Sequence, residues 1–194
     1  MKIKPCGDTA VLLDCDSLDE AQRWYAALED SADVVLGAQA VLLRGEPPSL
    51  RALLARTTPA SSPASQDKPV VDIPTTYDGD DLAEIAVLTG LTVDEVIAAH
   101  TDCLWTVAFG GFAPGFAYLT GGDPRLVVPR RDSPRTSVPA GAVGLAGAFS
   151  GVYPRESPGG WQLIGHTTLA MWDLDRASPA LLKAGERVRF GPVP

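Results

Sequence analysis

The stretch GGFAPGFAYLTGGDPRLVVPR, Gly110–Arg130, holds five glycines, three prolines and three aromatic rings. No regular helix tolerates that density, because glycine costs backbone entropy and proline removes a hydrogen-bond donor. The segment therefore reads as turns joining short extended pieces, and the pattern spreads outward from it. LWTVAFGGF overlaps its start, while VGLAGAF, GGWQLIG, LAMWDL and ERVRFG follow with Gly and Pro between them. Of the chain's 19 glycines, 12 fall between Gly110 and Gly165. Short strands separated by turn signals predict a β-barrel or sandwich.

Upstream the periodicity changes. VVDIPTTY reads as the strand that opens this unit, followed by two helices. DDLAEIAVLTG has acids in its first turn and Gly90 past its end, and TVDEVIAAH carries the capping box Thr92/Glu95 with Val93, Val96 and Ile97 on one face. Residues 1–56 read β-α-β-α: strand TAVLLDC, then SLDEAQRWYAALED with capping pair Ser17/Glu20 and Leu18, Ala21, Tyr25 and Leu28 along one face. ADVVLGAQAVLLR is two strands broken by Gly37 or one bulged strand, and PPSLRALLAR is a proline-initiated helix. Between the two units, TTPASSPASQDKP (57–69) has three prolines and nothing to bury, so it reads as a linker. The fold class expected is α+β, with domains at 1–56 and 70–194.

A chain of 194 residues, 45% hydrophobic and 21% charged, has the composition of an ordinary globular protein. No apolar run approaches the ~20 residues that cross a bilayer, and MKIKPCGDTAVLLDCD acquires acids too early for a signal peptide, so the cytoplasm is expected. Cys6, Cys15 and Cys103 indicate neither a disulfide framework nor a zinc knuckle, and the latter two read as buried small hydrophobes. The net charge of −8 argues against nucleic acid, yet residues 105–194 carry 9 basic and 6 acidic groups, against 1 and 9 over residues 57–104. A mildly basic half suits a carboxylate or phosphate ligand.

Most self-contained catalytic chemistry is excluded. There are two histidines: His100 ends a helix, where it suits the dipole, and His166 follows GGWQLIG without carboxylate neighbours in sequence, so no metal site is evident. G-x-S-x-G does not occur, and the absence of lysine between Ile73 and Leu182 removes a Walker loop there. What remains is binding chemistry. Arg125, Arg130, Arg131 and Arg135 lie within eleven residues among prolines, and a guanidinium held in such a frame pairs with a carboxylate or phosphate; the alternative is a solvated basic loop. Tyr153, Trp161, Gln162, His166 and Thr167 cluster in SGVYPRESPGGWQLIGHT, with Gln162 and Ile164 on one strand face and Trp161, Leu163 and Gly165 on the other. Phe112, Phe116 and Tyr118 alternate around Pro114, which suits a groove wall or a subunit interface. On that reading Phe116→Ala weakens complex formation more than folding.

The run FGGFAPGFAYLTGGDPRLVVPRRDSPRTSVPAGAVGLAGAFSGVYPRESPGGWQLIGHT, with MWD, PALLKAGERVRF and the early GDTAVLLD, resembles the family of allophanate hydrolase subunit 1, 5-oxoprolinase component B and the kinase inhibitor KipI. The resemblance implies a small N-terminal α/β-layer domain followed by a cyclophilin-like β-barrel. It also implies a partner of the allophanate hydrolase subunit 2 type (5-oxoprolinase component C) and a third member, a lactam hydrolase (component A). ATP is then used by the complex, with its contact to this chain left open. Pro114, Gly115, Arg130, Arg135, Pro139, Gly141, Tyr153, Gly159, Gly160, Trp161, Gln162 and Thr167 match the family's motif positions. His166 stands where arginine is expected, Ala142 where serine is common, and Ala184-Gly185-Glu186 where Pro-Gly-Asp is usual. The substrate-binding set implied is Arg130, Arg135, Pro139, Gly141, Tyr153, Gln162, His166 and Thr167, with Phe112, Pro114, Gly115, Phe116, Tyr118 and Trp161 as groove and interface. The leading expectation is a subunit inactive alone, acting on a cyclic or urea-like amide; the alternative is a regulator that inhibits a sensor histidine kinase.

Overall fold

The computed structural model describes residues 1–61 and 69–193, which separate into two compact units. Most of the linker expected over 57–69 lies outside the described residues. In the first unit, β1 (Lys2–Pro5), β2 (Ala10–Asp14), β3 (Asp33–Leu36) and β4 (Ala40–Arg44) form one antiparallel sheet in the order β1-β2-β4-β3. Helix α1 (Leu18–Leu28) packs on β3 and β4, and α2 (Pro47–Arg56) on β2. The break at Gly37 is real: its N–H donates to Ala40 O at 2.8 Å and reverses the chain between β3 and β4. The Ser17 hydroxyl caps α1 by accepting from Glu20 N, but the Glu20 carboxylate accepts from Asp16 N instead of closing the reciprocal box. The buried face is Ala21, Trp24 and Leu28; Tyr25 is only half-buried, because the larger Trp24 takes the core side.

The second unit is built on a sheet of seven strands: β5 (Val70–Thr75), β6 (Trp105–Gly110), β7 (Ala117–Thr120), β9 (Ala142–Ala146), β10 (Phe149–Val152), β12 (Gln162–His166) and β13 (Arg187–Pro192). Their order is β12-β9-β10-β7-β6-β13-β5, with only β13 and β5 parallel. β8 (Arg135–Val138) and β11 (Ser157–Gly159) form a separate ribbon. The sheet is nearly closed. Just beyond β5, Thr76 exchanges both backbone hydrogen bonds with His166 of β12, each at 2.9 Å, joining the two edges into a barrel. Glycine makes this seam possible: a Cβ on Gly165 would lie 2.1 Å from Thr76 O. The expected α+β class with a small layered unit and a β-barrel is borne out.

Helices α3 (Leu82–Thr89) and α4 (Val93–Thr101) pack on the barrel, capped by left-handed Gly90 and the complete Thr92/Glu95 box. On α4, Val93 is exposed and the buried positions are Val96, Ala99 and His100. LAMWDL is not a strand; its one pairing among the described residues is a bridge from Trp172 to Ala180. Two apolar clusters flank the barrel wall. Ile73, Val107, Leu119, Val143, Leu145, Ile164 and Phe190 belong to one, and Phe116, Val138, Tyr153, Trp161 and Leu163 to the other. Both faces of β12 are therefore buried, so Gln162 is enclosed rather than turned away from the core. Among the described residues, no helix is long and apolar enough to cross a membrane.

Candidate functional site

The closing seam also organises the arginines. Asp81, 2% exposed, accepts from Leu163 N at 2.7 Å while its own N–H donates to Leu163 O, stitching the chain before α3 to β12. Its other oxygen accepts from Arg131 and, at 2.8 Å, from Arg135. Burial alone would raise the Asp81 pKa, but Arg135, the Leu163 N–H and Arg131 together hold the carboxyl below its usual value. Arg131 is pinned a second time through its N–H to Gly160 O at 2.9 Å. Arg125 is paired with Asp123. Three of the four arginines thus spend their charge on carboxylates of the same chain. Arg130, fixed between neighbours that face Asp81, makes no ion pair among the described residues.

Arg130 opens onto a pocket of about 290 Å³ lined by Phe112, Phe116, Tyr118, Pro134, Tyr153, Pro158, Gly159, Gly160 and Trp161. The rings lock edge to face. Phe116 contacts Phe112, Tyr118, Tyr153 and Trp161 with centroids 5.1–5.5 Å apart. Phe116 is 3% exposed, Trp161 and Tyr153 are buried, and Phe112 alone of these is well exposed, at 59%. The expected aromatic surface is thus mostly core, because strand alternation turns Phe116 into the outer apolar cluster; this corrects the expectation for Phe116→Ala. Phe112 also has φ 65°, a left-handed backbone that a bulky side chain rarely adopts. Gly159 permits the far wall: a Cβ there would meet the Tyr153 hydroxyl at 2.3 Å.

The other sequence-predicted residues lie around this pocket without lining it. Gln162 donates weakly to Pro129 O at 3.4 Å, and its buried Oε1 has no partner among the described residues. Gly141 (φ 83°) approaches Thr167, where a Cβ would sit 2.1 Å from the Thr167 carbonyl, and the Thr167 hydroxyl accepts from Leu169 N. Exposed Pro139 begins the turn at Gly141, its carbonyl accepting from Ala142 N. His166 Nδ1 lies 2.9 Å from Asp78. Pro114 lines a different hollow, of about 390 Å³, with Pro154, Arg155 and Trp172, and Gly115 (φ 83°) backs onto Trp172. Asp81 escaped the sequence reading because nothing separates it from its neighbours in the acidic run DGDD.

His100 is fully buried, not a solvated helix terminus. Its ring nitrogens lie 2.7 Å from the Tyr77 hydroxyl and 2.8 Å from Ser150 Oγ, and burial pushes its pKa down to about 3. Burial pushes the Cys15 thiol up to about 11, so it is not a ready nucleophile. Among the described residues, no group of three His, Cys, Asp or Glu side chains is placed to hold a metal ion.

Comparison with known proteins places this geometry. The family model for the carboxyltransferase domain, subdomain C and D, matches residues 1–182. The 5-oxoprolinase component B of Bacillus subtilis (strain 168) is 48% identical over 124 residues, covering 62% of this chain and 52% of that protein. The chain thus spans about half the length of the curated relatives it matches. The crystal structure of TTHA0988 superposes with a TM-score of 0.81 at 34% identity, covering 95% of this chain and 40% of the other. The urea carboxylase of Kluyveromyces lactis, at 17% identity and a TM-score of 0.70, covers 99% of this chain and 22% of its own and shares the fold.

Proposed function

This chain belongs to the family of the carboxyltransferase domain, subdomains C and D, and we propose on that premise that it serves as one subunit of an ATP-dependent amidohydrolase complex. The reaction is C–N cleavage of a small cyclic or urea-like amide, of 5-oxoprolinase or allophanate hydrolase type, and the chain alone is not a complete catalyst. The observation that carries this reading is the make-up of the Arg130 pocket. A guanidinium and aromatic rings hold and orient a ligand, while His100 is bound between Tyr77 and Ser150 and His166 lies against Asp78. An acid–base group at the reacting amide then comes from a partner of the allophanate hydrolase subunit 2 type (5-oxoprolinase component C), with a lactam hydrolase, component A, as the third member.

The pocket's volume sits at the small end of ligand pockets, which start near ~300 Å³. Its single guanidinium answers one carboxylate better than the several charges of a triphosphate, so ATP is assigned to the rest of the complex. The regulatory alternative, inhibition of a sensor histidine kinase, gains no support from relatives named as 5-oxoprolinase subunits. The test is reconstitution. The purified chain, its component C partner and the mixture that also holds component A are assayed for ATP-dependent cleavage of 5-oxoproline and of allophanate. Activity is expected only in the mixture, and full activity from this chain alone overturns the proposal.

A further inference from the structure

The pocket has two chemically distinct ends. At one, the Arg130 guanidinium faces no carboxylate among the described residues, while Arg131 and Arg135 on the same loop are neutralised by Asp81. Beside it stands Tyr153, a buried residue whose oxygen faces the backbone N–H of Trp161, which leaves the hydroxyl proton to be donated. At the other end the walls are the rings of Phe112, Phe116 and Trp161. Phe116 and Trp161 are held rigidly by the aromatic cluster. Phe112 stands at the rim, exposed, edge-on to Phe116 and Tyr153, on a left-handed backbone that glycine would adopt without strain. Strain held by a bulky exposed side chain marks a place where the side chain itself is wanted.

We infer that this pocket is a binding subsite for the non-reacting end of a small organic carboxylate, in which Arg130 and the Tyr153 hydroxyl hold the carboxylate and Phe112 covers the ligand's hydrocarbon ring. The inference rests on the reading of the chain as part of an amidohydrolase complex and adds a division of labour to it. This chain recognises carboxylate and ring, and the scissile amide projects out of the pocket to the partner's catalytic groups. A ring of CH groups matches aromatic faces, whereas an amide turned against them would leave its N–H and C=O unpaired. Phe112 is a positioning and specificity-determining residue, not a catalytic one.

The experiment measures Kd on the full chain by calorimetry or Trp fluorescence, with three probes: 5-oxoproline, cyclopentanecarboxylate (ring and carboxylate, no amide) and 2-pyrrolidinone (ring and amide, no carboxylate). The two carboxylates are expected to bind within about threefold of each other, and 2-pyrrolidinone roughly 10- to 100-fold more weakly, the range for losing a charge-assisted pairing. Arg130→Gln is expected to remove that difference, and Arg125→Gln, whose partner is Asp123, to leave it intact. Phe112→Gly is expected to weaken both carboxylates severalfold without lowering thermal stability, because it relieves the left-handed strain; Phe112→Tyr is expected to restore binding. Equal affinity of 2-pyrrolidinone and 5-oxoproline, or unchanged affinity in Arg130→Gln, overturns the inference. In the reconstituted complex the two ideas part. Wild-type activity with KM unaltered by Arg130→Gln and Phe112→Gly sinks the subsite and leaves the subunit reading standing. Carboxylate binding in the pocket without amide cleavage by the complex does the reverse.

Discussion

Lowering the pH from 7 to 5 is expected to destabilise the protein by about 2 kcal/mol through His100 alone. In the unfolded chain a histidine titrates near ~6.5. In the fold, burial pushes His100 down to about 3, since an imidazolium there would lose its water without gaining a carboxylate. The surrounding groups are Tyr77, whose own ionisation burial pushes higher still, the Ser150 hydroxyl, and the rings of Trp105 and Phe190 at 5.2 and 4.3 Å. With a depressed folded pKa, the stabilisation is fully present above the unfolded value and is lost as pH falls toward the folded one. At pH 5 the unfolded chain has gained a proton that the folded chain refuses. About 1.5 pH units at 1.36 kcal/mol each gives the stated loss. Asp81, whose carboxyl is held low, remains ionised over this window and contributes only at lower pH. Urea denaturation of wild type and His100→Gln at pH 7, 6 and 5 isolates the effect. The variant is less stable throughout but lacks this slope. A wild-type loss equal to that of the variant, or an imidazole resonance that titrates near pH 6.5 in the folded protein, refutes the argument.

Replacing Asp81 by Asn leaves Arg131 and Arg135 without their carboxylate and is expected to cost about 3 kcal/mol, the lower end for a broken buried pair because both guanidiniums keep some water contact; equilibrium denaturation measures it. Phe116→Ala removes a ring packed in the outer apolar cluster and is expected to cost about 3–5 kcal/mol in the isolated chain, read as a lowered Tm. Gly141→Ala places a methyl group against the Thr167 carbonyl on a left-handed backbone, whose strain alone costs about 1–2 kcal/mol, so a sharp fall in soluble yield is expected.

Much of the architecture was legible because its signals are short-range. Helix caps at Ser17, Thr92 and Gly90 lie within one turn of what they cap, and alternation within VGLAGAF or WQLIG needs only a few residues to declare a strand. The same locality explains the misreadings. Tyr25 and Trp24 are adjacent, and periodicity alone cannot weigh which ring faces the sheet. LAMWDL has the composition of a strand but finds no edge to pair with beyond one bridge.

The site divides in the same way. Residue types in the linear chain already located the basic, aromatic half of the molecule and the rings that would wall a groove, because local enrichment is a property of composition. Which of the four clustered arginines is free is not such a property. It depends on Asp81 meeting Arg131 and Arg135 across separations of 50 and 54 residues, and on Thr76 meeting His166 to close the barrel beneath them. His100 reads as a helix end until Ser150, 50 residues on, arrives to enclose it. Charge and burial are settled by partners distant in sequence, so only the folded chain distinguishes the one guanidinium of that cluster that can receive a ligand from the three that hold the structure together.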